Sequence, residues 1–521
     1  MNRSVKLAWE QYEAGKDYKR RIGLYETIRE NERFYRGQQW RDGECAELPR
    51  PVFNLIRRII DYLVCSVAAS NLSIRFTDEN LPYLHNEAER RKMQQSLEVL
   101  SKNAAYRWEK SGMDYKLMRL LTDAAITGDG VIYCYWDTER TTPQLFTGDI
   151  CSDVIDGVNL FVADVNRADI QGQDYVIVAG RASVAALRRE AAASGVSEEY
   201  IAKIIPDGET GTQSGEMSGY ELSGDAEAKA TYIIKFWREN GQVVFEKSTR
   251  ECSIKRARTD CRLYPVAYLN WMPTKNSFHG TSPISSLIPN QKFINRAYAM
   301  AMKHMMDTAF SKVVYDKSKI PEWTNAVGEA IAAVGGGNIS DAVSVVGTGE
   351  LQSGYMELIG SAIDVTKDLM GATESALGNL EANNTSAILA LQETSRIPLE
   401  QVRSAYYRCV EDMANIWADM MCAYYPYERL IPYDTENGGG CAQVDLSLFK
   451  SRFLSARVDV AEISRFSAAS AQALLDKLLD GGYISPASYV KRIPAGMILN
   501  RQALIDELEA DYPENMQNEV I

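Results

Sequence analysis

Few residues in this sequence have the types and spacing that chemistry requires. Residues 208–215, Gly-Glu-Thr-Gly-Thr-Gln-Ser-Gly, have the glycine content of a loop that cradles phosphates. Such a loop also needs a Lys followed by Ser or Thr to hold the phosphates and magnesium, and this stretch lacks that pair. We therefore interpret residues 206–230, which are rich in Gly, Ser, Thr and Glu, as an exposed loop between two strands.

Two charged stretches could also form sites. Residues 128–130, Gly-Asp-Gly, put a carboxylate in a tight turn, but such a turn is also typical of a helix-to-strand junction, and we assign it that role. The densest basic cluster consists of Lys255, Arg256, Arg258 and Arg262. It could contact nucleic acid, although a basic cluster on a strand and loop is more often a solvated surface with carboxylate partners. Neither stretch predicts a catalytic site.

Cysteines and histidines do not form a metal-binding pattern. The nine cysteines are scattered without a Cys-x-x-Cys pair, and the three histidines are His85, His279 and His304. We expect no metal site and no cofactor, and we expect most cysteines to be buried free thiols made in a reducing cytosol. The sequence also lacks the Gly-x-Ser-x-Gly and His-Glu-x-x-His motifs in a convincing context. We therefore predict that the protein is not an enzyme.

Length and charge limit the classes of function. A chain of 521 residues is long enough for two or more domains. Its net charge of −13 at pH 7 argues against tight phosphate binding by the chain as a whole, because such affinity comes from Lys and Arg that displace counterions. The sequence has no signal-peptide pattern and no long uninterrupted apolar run, so we expect a protein without a membrane association.

The elements that would position a functional surface lie in the middle of the chain. Thr281 or Ser282 can cap a helix there, and Pro283 suits its first turn because an N–H at that position needs no partner. Pro289 predicts a kink or a restart early in the helix. Apolar residues then recur at helical spacing, namely Ile294, Ala297, Tyr298, Ala301, Met305 and Phe310.

The pattern then changes to short strands. Residues 312–315 and 343–346 have the alternation of strands, and residues 321–334 between them predict a short helix that three glycines end. A second long helix is predicted at residues 356–370. The order is therefore a helix, a small insertion that contains strands, and another helix.

A polar segment and a long helix complete the middle of the chain. Residues 372–384 are polar, and apolar residues on one continuous face predict a helix over residues 386–424. Pro398 lies inside that pattern. An interior proline removes a backbone hydrogen bond and bends a helix at a cost of about 3 kcal/mol, so we predict a kink there. The alternative is two separate helices that meet at Pro398.

The flanking regions are predicted to contain helices and strands, which gives an α+β class. Helices are predicted before Gly37, after Asn54, and over residues 86–127 and 183–205. Strands are predicted at residues 131–136, 160–162, 175–179, 232–237 and 243–247. After residue 426 the sequence predicts a flexible loop at 438–440, a short strand at 457–460, and helices at 466–479 and 501–509.

The order of these elements resembles that of the portal proteins of tailed bacteriophages, and the likeness covers nearly the whole chain. This sequence differs most from the family in residues 206–230. The residues that carry it are Asn31 to Trp40, Pro51 to Ile56, the junction Leu121 to Val131, Gly280 to Ile284, the bent helix after Asn384-Thr-Ser386, Val458 to Val460, and Leu474 to Ser485.

The resemblance implies a portal-type architecture with a wing, a helical stem, a small α/β clip, a long kinked helix and a C-terminal helical crown. Its parts would be the wing (1–280), first stem helix (281–312), clip (313–355), second stem helix (356–371), tunnel loop (372–385), kinked wing helix (386–425) and crown region (426–521). Its site residues would be Ile294, Ala301 and Met305 in the stem, Val313, Val314 and Val345 in the clip, and Pro398 at the kink.

The function implied by the resemblance is that of a conduit. About a dozen copies would close into a ring at one capsid vertex of the virion, through a head-to-tail interface. Double-stranded DNA would pass through the ring during packaging and ejection. The partners would be the terminase large subunit, a head-tail adaptor, and the major capsid or scaffolding protein, with synthesis in the host cytoplasm.

The implied tunnel loop fits weak contact with DNA. It has no Lys or Arg, so it cannot neutralise phosphates. Its asparagines can form neutral hydrogen bonds with phosphates, and we hypothesise sliding contacts, or else an ordinary helix connection that faces neighbouring subunits. The candidate residues are Glu374, Asn379, Glu381, Asn383 and Asn384.

Two other classes of protein remain as alternatives. One is a different oligomeric virion protein, such as an adaptor or a minor capsid protein, which would lack the predicted order of helix, insertion, helix, loop and bent helix. The other is a nucleic-acid-processing enzyme, which should show clustered carboxylates or a nucleotide-binding loop.

Overall fold

A computed structural model describes most of the chain. The described residues are 3–41, 43, 47–68, 71–79, 81–83, 85–142, 144–207, 228–309, 312–324, 331–335, 338, 342–346, 353–372, 397–435, 438–449, 454–461, 475–493, 504, 505, 507 and 508. The architecture mixes helices and sheets, which confirms the α+β class.

Ten helices are numbered here in chain order. They are α1 (Arg3–Arg21), α2 (Leu24–Tyr35), α3 (Leu55–Ala68), α4 (Glu87–Lys110), α5 (Met113–Thr127), α6 (Val184–Ala193), α7 (Glu198–Ile201), α8 (Pro283–Ala309), α9 (Ser353–Leu369) and α10 (Glu400–Tyr424). Residues 475–480 and Pro486–Arg492 are also helical.

The strands form five antiparallel sheets among the described residues. They are β1 (Asn71–Asp78), β2 (Asp129–Thr141), β3 (Thr147–Ile155), β4 (Leu160–Val162), β5 (Tyr175–Ser183), β6 (Lys229–Glu239), β7 (Gln242–Ser248), β8 (Ser253–Arg258), β9 (Val266–Asn270), β10 (Lys312–Tyr315), β11 (Val343–Val346), β12 (Ile431–Thr435), β13 (Gly438–Ala442) and β14 (Leu454–Ala461). The largest sheet has the order β4-β5-β6-β7-β8, and β2 is central in the order β3-β2-β9.

The main hydrophobic core surrounds α10. This helix packs on β9, β14 and β2, and its Trp417 and Met413 belong to a buried cluster that includes Ile60 of α3 and Leu120 of α5. The indole N–H of Trp417 donates to Ser152 Oγ of β3 at 2.8 Å, so its one polar atom keeps a partner inside the core.

Polar side chains of α10 satisfy the backbone of neighbouring elements. The edge of β14 that does not pair with β1 donates from Ala456 N to Asn415 Oδ1 at 2.7 Å and from Val458 N to Glu411 Oε1 at 2.9 Å. Asp419 accepts from the backbone N–H groups of Arg262 and Leu263. The helix thus takes the place of a further strand, which removes an open edge.

Helix α1 covers one face of the five-stranded sheet. Its Ala8 and Tyr12 pack on Ile177 and Ile233 of that face. At Gly15 the helix lies so close to the sheet that a Cβ atom would be 2.7 Å from Phe161 Cδ1. This close approach explains a glycine in the interior of a helix, where it costs about 0.5–1 kcal/mol relative to Ala.

Several predicted elements are confirmed with their boundaries. Strands β4, β10 and β11 span the predicted residues 160–162, 312–315 and 343–346. Ser282 caps α8 by accepting from Ile284 N at 3.1 Å, as predicted. Of the cysteines in the described residues, six are buried free thiols and two, Cys65 and Cys441, are exposed.

Other expectations are wrong. The helix predicted over residues 183–205 is two short helices, α6 and α7. Residues 86–127 are helical as predicted, and Gly112, with a φ of 59°, separates α4 from α5 there. The predicted loop at 438–440 is part of β13, where Gly440 lies under the ring of Tyr433 in the paired strand. α8 runs through Pro289 as one helix, so the restart expected there is wrong, while the kink stays a prediction.

The small helix expected at 321–334 is also wrong for the residues that are described there. Residues 321–324 and 331–335 are not helical. Tertiary contacts replace the helix: the ring of Trp323 stacks on Tyr315 at 5.3 Å between centroids, and Val334 N donates to Lys319 O at 2.7 Å. The rest of that segment lies outside the described residues, as does most of the 206–230 loop.

Candidate functional site

A close contact between two backbone segments lies where the α5–β2 turn meets the chain just before α8. Gly128 ends α5 with a φ of 99°, and a Cβ atom there would be 2.5 Å from the carbonyl oxygen of Gly280. The contact is reciprocal, because a Cβ atom on Gly280 would be 2.6 Å from Gly128 O. We call this contact and its surroundings the junction. Gly128 is required because of its positive φ. Both Gly128 and Gly280 are required because neither position leaves room for a Cβ atom.

A buried carboxylate holds the junction together. Asp129 Oδ1 accepts from the hydroxyl of Tyr268 at 2.7 Å and from Gly280 N at 2.8 Å. Its Oδ2 atom lies 2.6 Å from Nδ1 of His279, a contact in which the ring N–H donates because a carboxylate only accepts. Asn270 completes the network by donating to Phe278 O at 2.9 Å. The residues 128–130 therefore form a helix-to-strand junction, as predicted, and their carboxylate has a positioning role.

The same region fixes the start of α8. The hydroxyl of Ser282 donates to Ala125 O of α5 at 2.6 Å while it also caps α8. Asn31 of α2 donates to Ile126 O at 3.0 Å and accepts from the hydroxyl of Ser285 at 3.1 Å. The first turn of α8 is thus bonded to two other helices, and its direction relative to the sheets is set at this point.

Lys19 lies close to the junction and is fully buried. Its Nζ atom donates to Val158 O at 2.8 Å and to Leu160 O at 2.6 Å, with Gly157 O at 3.3 Å. It also lies 4.0 Å above the ring of Phe161. Burial lowers the pKa of Lys19 to about 7, while the carboxylates of Asp129 and Asp156 oppose that change. Lys19 thereby connects α1 by hydrogen bonds to the backbone just before β4.

A row of amides attaches a loop to α8. Gln291 Nε2 donates to Phe53 O at 2.7 Å, and its Oε1 accepts from Leu55 N at 3.1 Å. Asn295, one turn further along, donates to Gln39 Oε1 at 2.6 Å. The loop before α3 is therefore held along the third and fourth turns of α8, and the ring centroid of Phe53 lies 4.4 Å from that of Tyr298 in the following turn.

Beyond the junction, α8 carries large apolar side chains that no described residue covers. Met302, Met305 and Met306 are 36%, 55% and 61% exposed, and they lie three and four residues apart, on one face. Phe293 and Met300, seven residues apart, are about half exposed and lie on nearly the opposite face, because 100° per residue separates positions 300 and 302 by about 200°.

Helix α9 packs beside α8 and also exposes large apolar side chains. Leu358, Val365 and Leu369 lie at steps of seven and four residues, on one face, and each is more than half exposed. Its other face buries Ile359 and Thr366. The pair of helices therefore presents apolar surface well beyond what this one chain buries.

The predicted stem and clip residues lie as follows. Ile294 and Ala301 are buried and Met305 is exposed on α8. Val313 is partly buried and Val314 is 60% exposed in β10, and Val345 pairs with Val313 in the two-stranded sheet β10-β11.

The structure describes Pro398 but not the predicted tunnel-loop residues. Pro398 lies in a short 3-10 turn, Ile397–Leu399, directly before α10. The helix predicted before it and the five tunnel-loop residues lie outside the described residues, so the bend and the loop stay predictions.

A second buried cluster anchors the C-terminal end of α10, and the sequence analysis missed it. Arg107 of α4 donates to Asp149 Oδ1 at 3.2 Å, and the hydroxyl of Tyr425 donates to the same atom at 2.9 Å. The guanidinium of Arg429 lies 3.9 Å from the centroid of the Tyr425 ring. Burial alone would raise the pKa of Asp149, but the charge of Arg107 and these hydrogen bonds hold it below its usual value. Four residues from distant parts of the sequence give no local pattern that could reveal this cluster.

A cavity of about 280 Å³ lies between α10 and the loop that follows β8. Asn415, Ala418, Asp419 and Cys422 line one wall, and Leu263 lies opposite. The carboxylate of Asp419 already accepts two backbone N–H groups, and no three described His, Cys, Asp or Glu residues are arranged to hold a metal ion. In the described residues no helix is long and apolar enough to cross a membrane.

The junction makes a prediction about glycine. Gly128→Ala should lower the free energy of unfolding by more than about 3 kcal/mol, because it adds a backbone clash to the cost of a positive φ. Gly195→Ala is the matched control, since Gly195 has a φ of 77° with nothing within 4 Å of its Cβ position. It should cost about 1 kcal/mol. Thermal unfolding of both variants measures the difference, and equal losses would show that the contact with Gly280 is unimportant.

Lys19 makes a prediction about pH. A folded-state pKa near 7, below the ordinary 10.5, means that the folded chain binds fewer protons than the unfolded chain between these values. Stability should therefore rise with pH in that window, by up to about 1.4 kcal/mol per pH unit relative to Lys19→Met, which cannot titrate. Unfolding of both proteins between pH 7.5 and about 9.5 tests this. Parallel pH profiles would mean that the ammonium keeps its proton in the folded state.

Comparisons with known proteins give one match that bears on this region. Residues 260–447 match the model of the phage P22-like portal protein family. No curated protein matches the chain. The matched residues include β9, α8, the β10–β11 sheet, α9 and α10.

Two solved structures are similar to the chain at a low level. One is the neck of an empty gene transfer agent (GTA) particle computed with C6 symmetry, with 10% identity, 83% of this chain and 87% of that chain covered, and a TM-score of 0.36. The other is the virion of a native GTA particle, with the same identity and coverage and a TM-score of 0.35. Scores this low carry no argument about the fold. The family match, by contrast, confirms the resemblance inferred from the sequence for residues 260–447.

Proposed function

We propose that this protein is a phage portal protein. Copies of the chain form a ring at one vertex of the capsid, and double-stranded DNA passes through the ring during packaging and ejection. The observation that carries the proposal is the match to the portal family over residues 260–447, which contain two helices with uncovered apolar faces.

The exposed apolar residues support a ring. A closed ring uses a head-to-tail interface, in which two different surfaces of each copy meet, whereas a two-fold dimer needs only one. α8 has this property, because Met302 and Met306 lie on one face and Phe293 and Met300 lie on nearly the opposite one. Burying one such side chain fully contributes about 1.5–3 kcal/mol, so a few of them at each contact can stabilise an oligomer.

The position of the β10–β11 sheet supports a docking role. This sheet lies between α8 and α9 in the chain and exposes Val314. As the clip of a portal it would protrude from the ring, where the terminase motor docks during packaging and head-tail connector proteins dock later. The wing, residues 1–280, would contact the major capsid or scaffolding protein.

The charge of the chain supports a conduit that binds DNA only weakly. The predicted tunnel loop, residues 372–385, contains Glu374 and Glu381 but no basic residue. Without Lys or Arg it displaces no counterions and gains no salt-dependent affinity. Its asparagines then provide weak neutral contacts that DNA can slide past.

The ring is testable by substitution in α8. Met306→Glu should convert rings of about a dozen copies into smaller species, because it places an unpaired carboxylate in the subunit contact. Ile205→Glu is the control: Ile205 is 67% exposed, outside the stem, and its substitution should leave rings intact. Light scattering after gel filtration and negative-stain images give the mass and shape. A wild-type protein that is monomeric at micromolar concentration would contradict the proposal.

The tunnel loop is testable by deletion. Removing residues 376–381 should impair DNA packaging while rings still assemble, because the loop would no longer guide DNA through the bore. Removal of residues 216–221 from the other polar loop is a control of equal length. DNase-protected DNA in an in vitro packaging reaction measures the effect. Normal packaging by intact rings that lack residues 376–381 would rule out a role for this loop.

A further inference from the structure

The face of the five-stranded sheet on which α1 packs also carries cations beside the first turn of that helix, and the portal function does not use them. Strand pairing places Lys235 opposite Glu246, and Glu246 opposite Arg256, so these three side chains lie on the same face. In the next row Trp237 lies opposite Val244, and Val244 opposite Arg258. Neighbouring strands are about 4.8 Å apart, so Lys235 and Arg256 are separated by about 10 Å across the sheet.

Aromatic rings hold two of these cations in place. The Nζ atom of Lys235 lies 5.1 Å from the ring centroid of Tyr175 and 5.6 Å from that of Trp237. The guanidinium of Arg256 lies 5.3 Å from the Trp237 ring. Such contacts stabilise a cation by about 0.5–1 kcal/mol at exposed sites and reduce its freedom to move. We call Lys235, Arg256, Arg258 and these two rings the β6–β8 surface.

The nearest carboxylate to Lys235 is Glu246, whose charge opposes the lowering of the pKa of Lys235 by burial. Glu246 is buried and accepts from two hydroxyls, Ser4 Oγ at 2.5 Å and Ser253 Oγ at 2.7 Å. Ser4 belongs to the first turn of α1, so the positive end of that helix also faces Glu246. Within the described residues Lys235 forms no ion pair, and burial lowers its pKa.

One carboxylate does lie on the surface. Glu239 accepts from the indole N–H of Trp237 at 2.8 Å and lies 3.6 Å from Arg256. Both partners of that ion pair are about half exposed, so the pair is screened by water and contributes little. Arg258 donates to Gln242, a neutral partner, and keeps its charge available to a ligand.

We propose that the β6–β8 surface binds phosphates of double-stranded DNA. Arg256 and Arg258 on the edge strand, beside Lys235, suit a ligand with many regularly spaced negative charges, and side chains two residues apart on β8 can reach successive phosphates of one strand. The surface is distinct from the bore and would hold DNA on the wing. The inference rests on the proposed function only in that it takes the DNA of the virion as the ligand.

The rings favour a duplex over a single strand. Base stacking needs free aromatic faces, as in proteins that bind single strands. Here the Trp237 ring has Lys235 and Arg256 close to it, and Lys235 also lies over Tyr175. The rings thus position cations for phosphate contact and do not offer an open platform for bases, so binding should depend on salt and not on sequence.

The competing explanation is protection of a sheet edge. β8 is the last strand of its sheet, and charged residues on an edge strand prevent pairing with other chains. That role predicts aggregation when the charges are removed, with no effect on DNA binding. It does not explain why Lys235, on the interior strand β6, lies between two rings without an ion pair.

The experiment compares two charge-matched double variants of the full-length protein. Arg256→Gln with Arg258→Gln removes two cations of the surface, and Arg90→Gln with Arg91→Gln removes two exposed arginines of α4. Binding of a short fluorescein-labelled duplex is followed by fluorescence anisotropy between about 50 and 200 mM NaCl. A third variant, Trp237→Leu, keeps every charge.

The surface variant should bind the duplex about tenfold more weakly at low salt, and its slope of log affinity against log salt should be smaller by about 2, because two phosphate contacts are lost. Trp237→Leu should weaken binding about threefold through displaced cations. The α4 variant should behave as wild type. A wild-type protein that does not bind the duplex, a surface variant that binds as well as the α4 variant, or one that only aggregates would overturn the proposal. Ring formation is measured separately by gel filtration, so loss of rings tests the portal function and loss of binding tests this surface.

Discussion

The placement of α8 depends on one buried carboxylate, Asp129. A buried charge costs several kcal/mol unless hydrogen bonds compensate it, and here Tyr268, His279 and Gly280 supply them. These donors come from β9 and from the chain just before α8. The carboxylate is therefore satisfied only when the strand, the α5–β2 turn and the start of α8 are together. The junction therefore fixes the direction in which α8 leaves the sheets.

Local rules predicted much of the fold because much of it is local. The capping of α8 by Ser282 and the bounds of β10 and β11 follow from short-range patterns, and the structure confirms them. The turn at residues 128–130 was predicted as a junction, but the need for glycine there comes from the carbonyl of Gly280. A contact between residues so far apart in the chain leaves no periodic signal. Lys19 was missed for the same reason, since its partners are backbone carbonyls, which the sequence does not distinguish.

Apolar periodicity has a further limit, which α8 shows clearly. Ile294 and Ala301 face the chain's own core, while Met302 and Met306 face outward, yet all four belong to one run of apolar residues. A helix that is apolar on several sides is typical of a buried element. The apolar pattern alone does not show whether a side chain is buried by its own chain or by another copy. The single chain shows the difference, because it leaves one set of these side chains uncovered.

The net charge of −13 describes the whole chain and not each of its surfaces. Electrostatic attraction acts over about 10 Å at ordinary salt, so a ligand at β8 responds to Lys235, Arg256 and Arg258 and hardly to carboxylates on distant elements. The same chain can therefore present an uncharged or acidic segment to DNA in one place and cations in another. Glu246 is buried and accepts from Ser4 and Ser253, whereas Arg256 is about half exposed at the edge of the sheet, so the cations of this surface are more accessible to a ligand than its buried carboxylate. Under the two proposals, this separation lets one molecule hold DNA on its wing without slowing DNA in its bore.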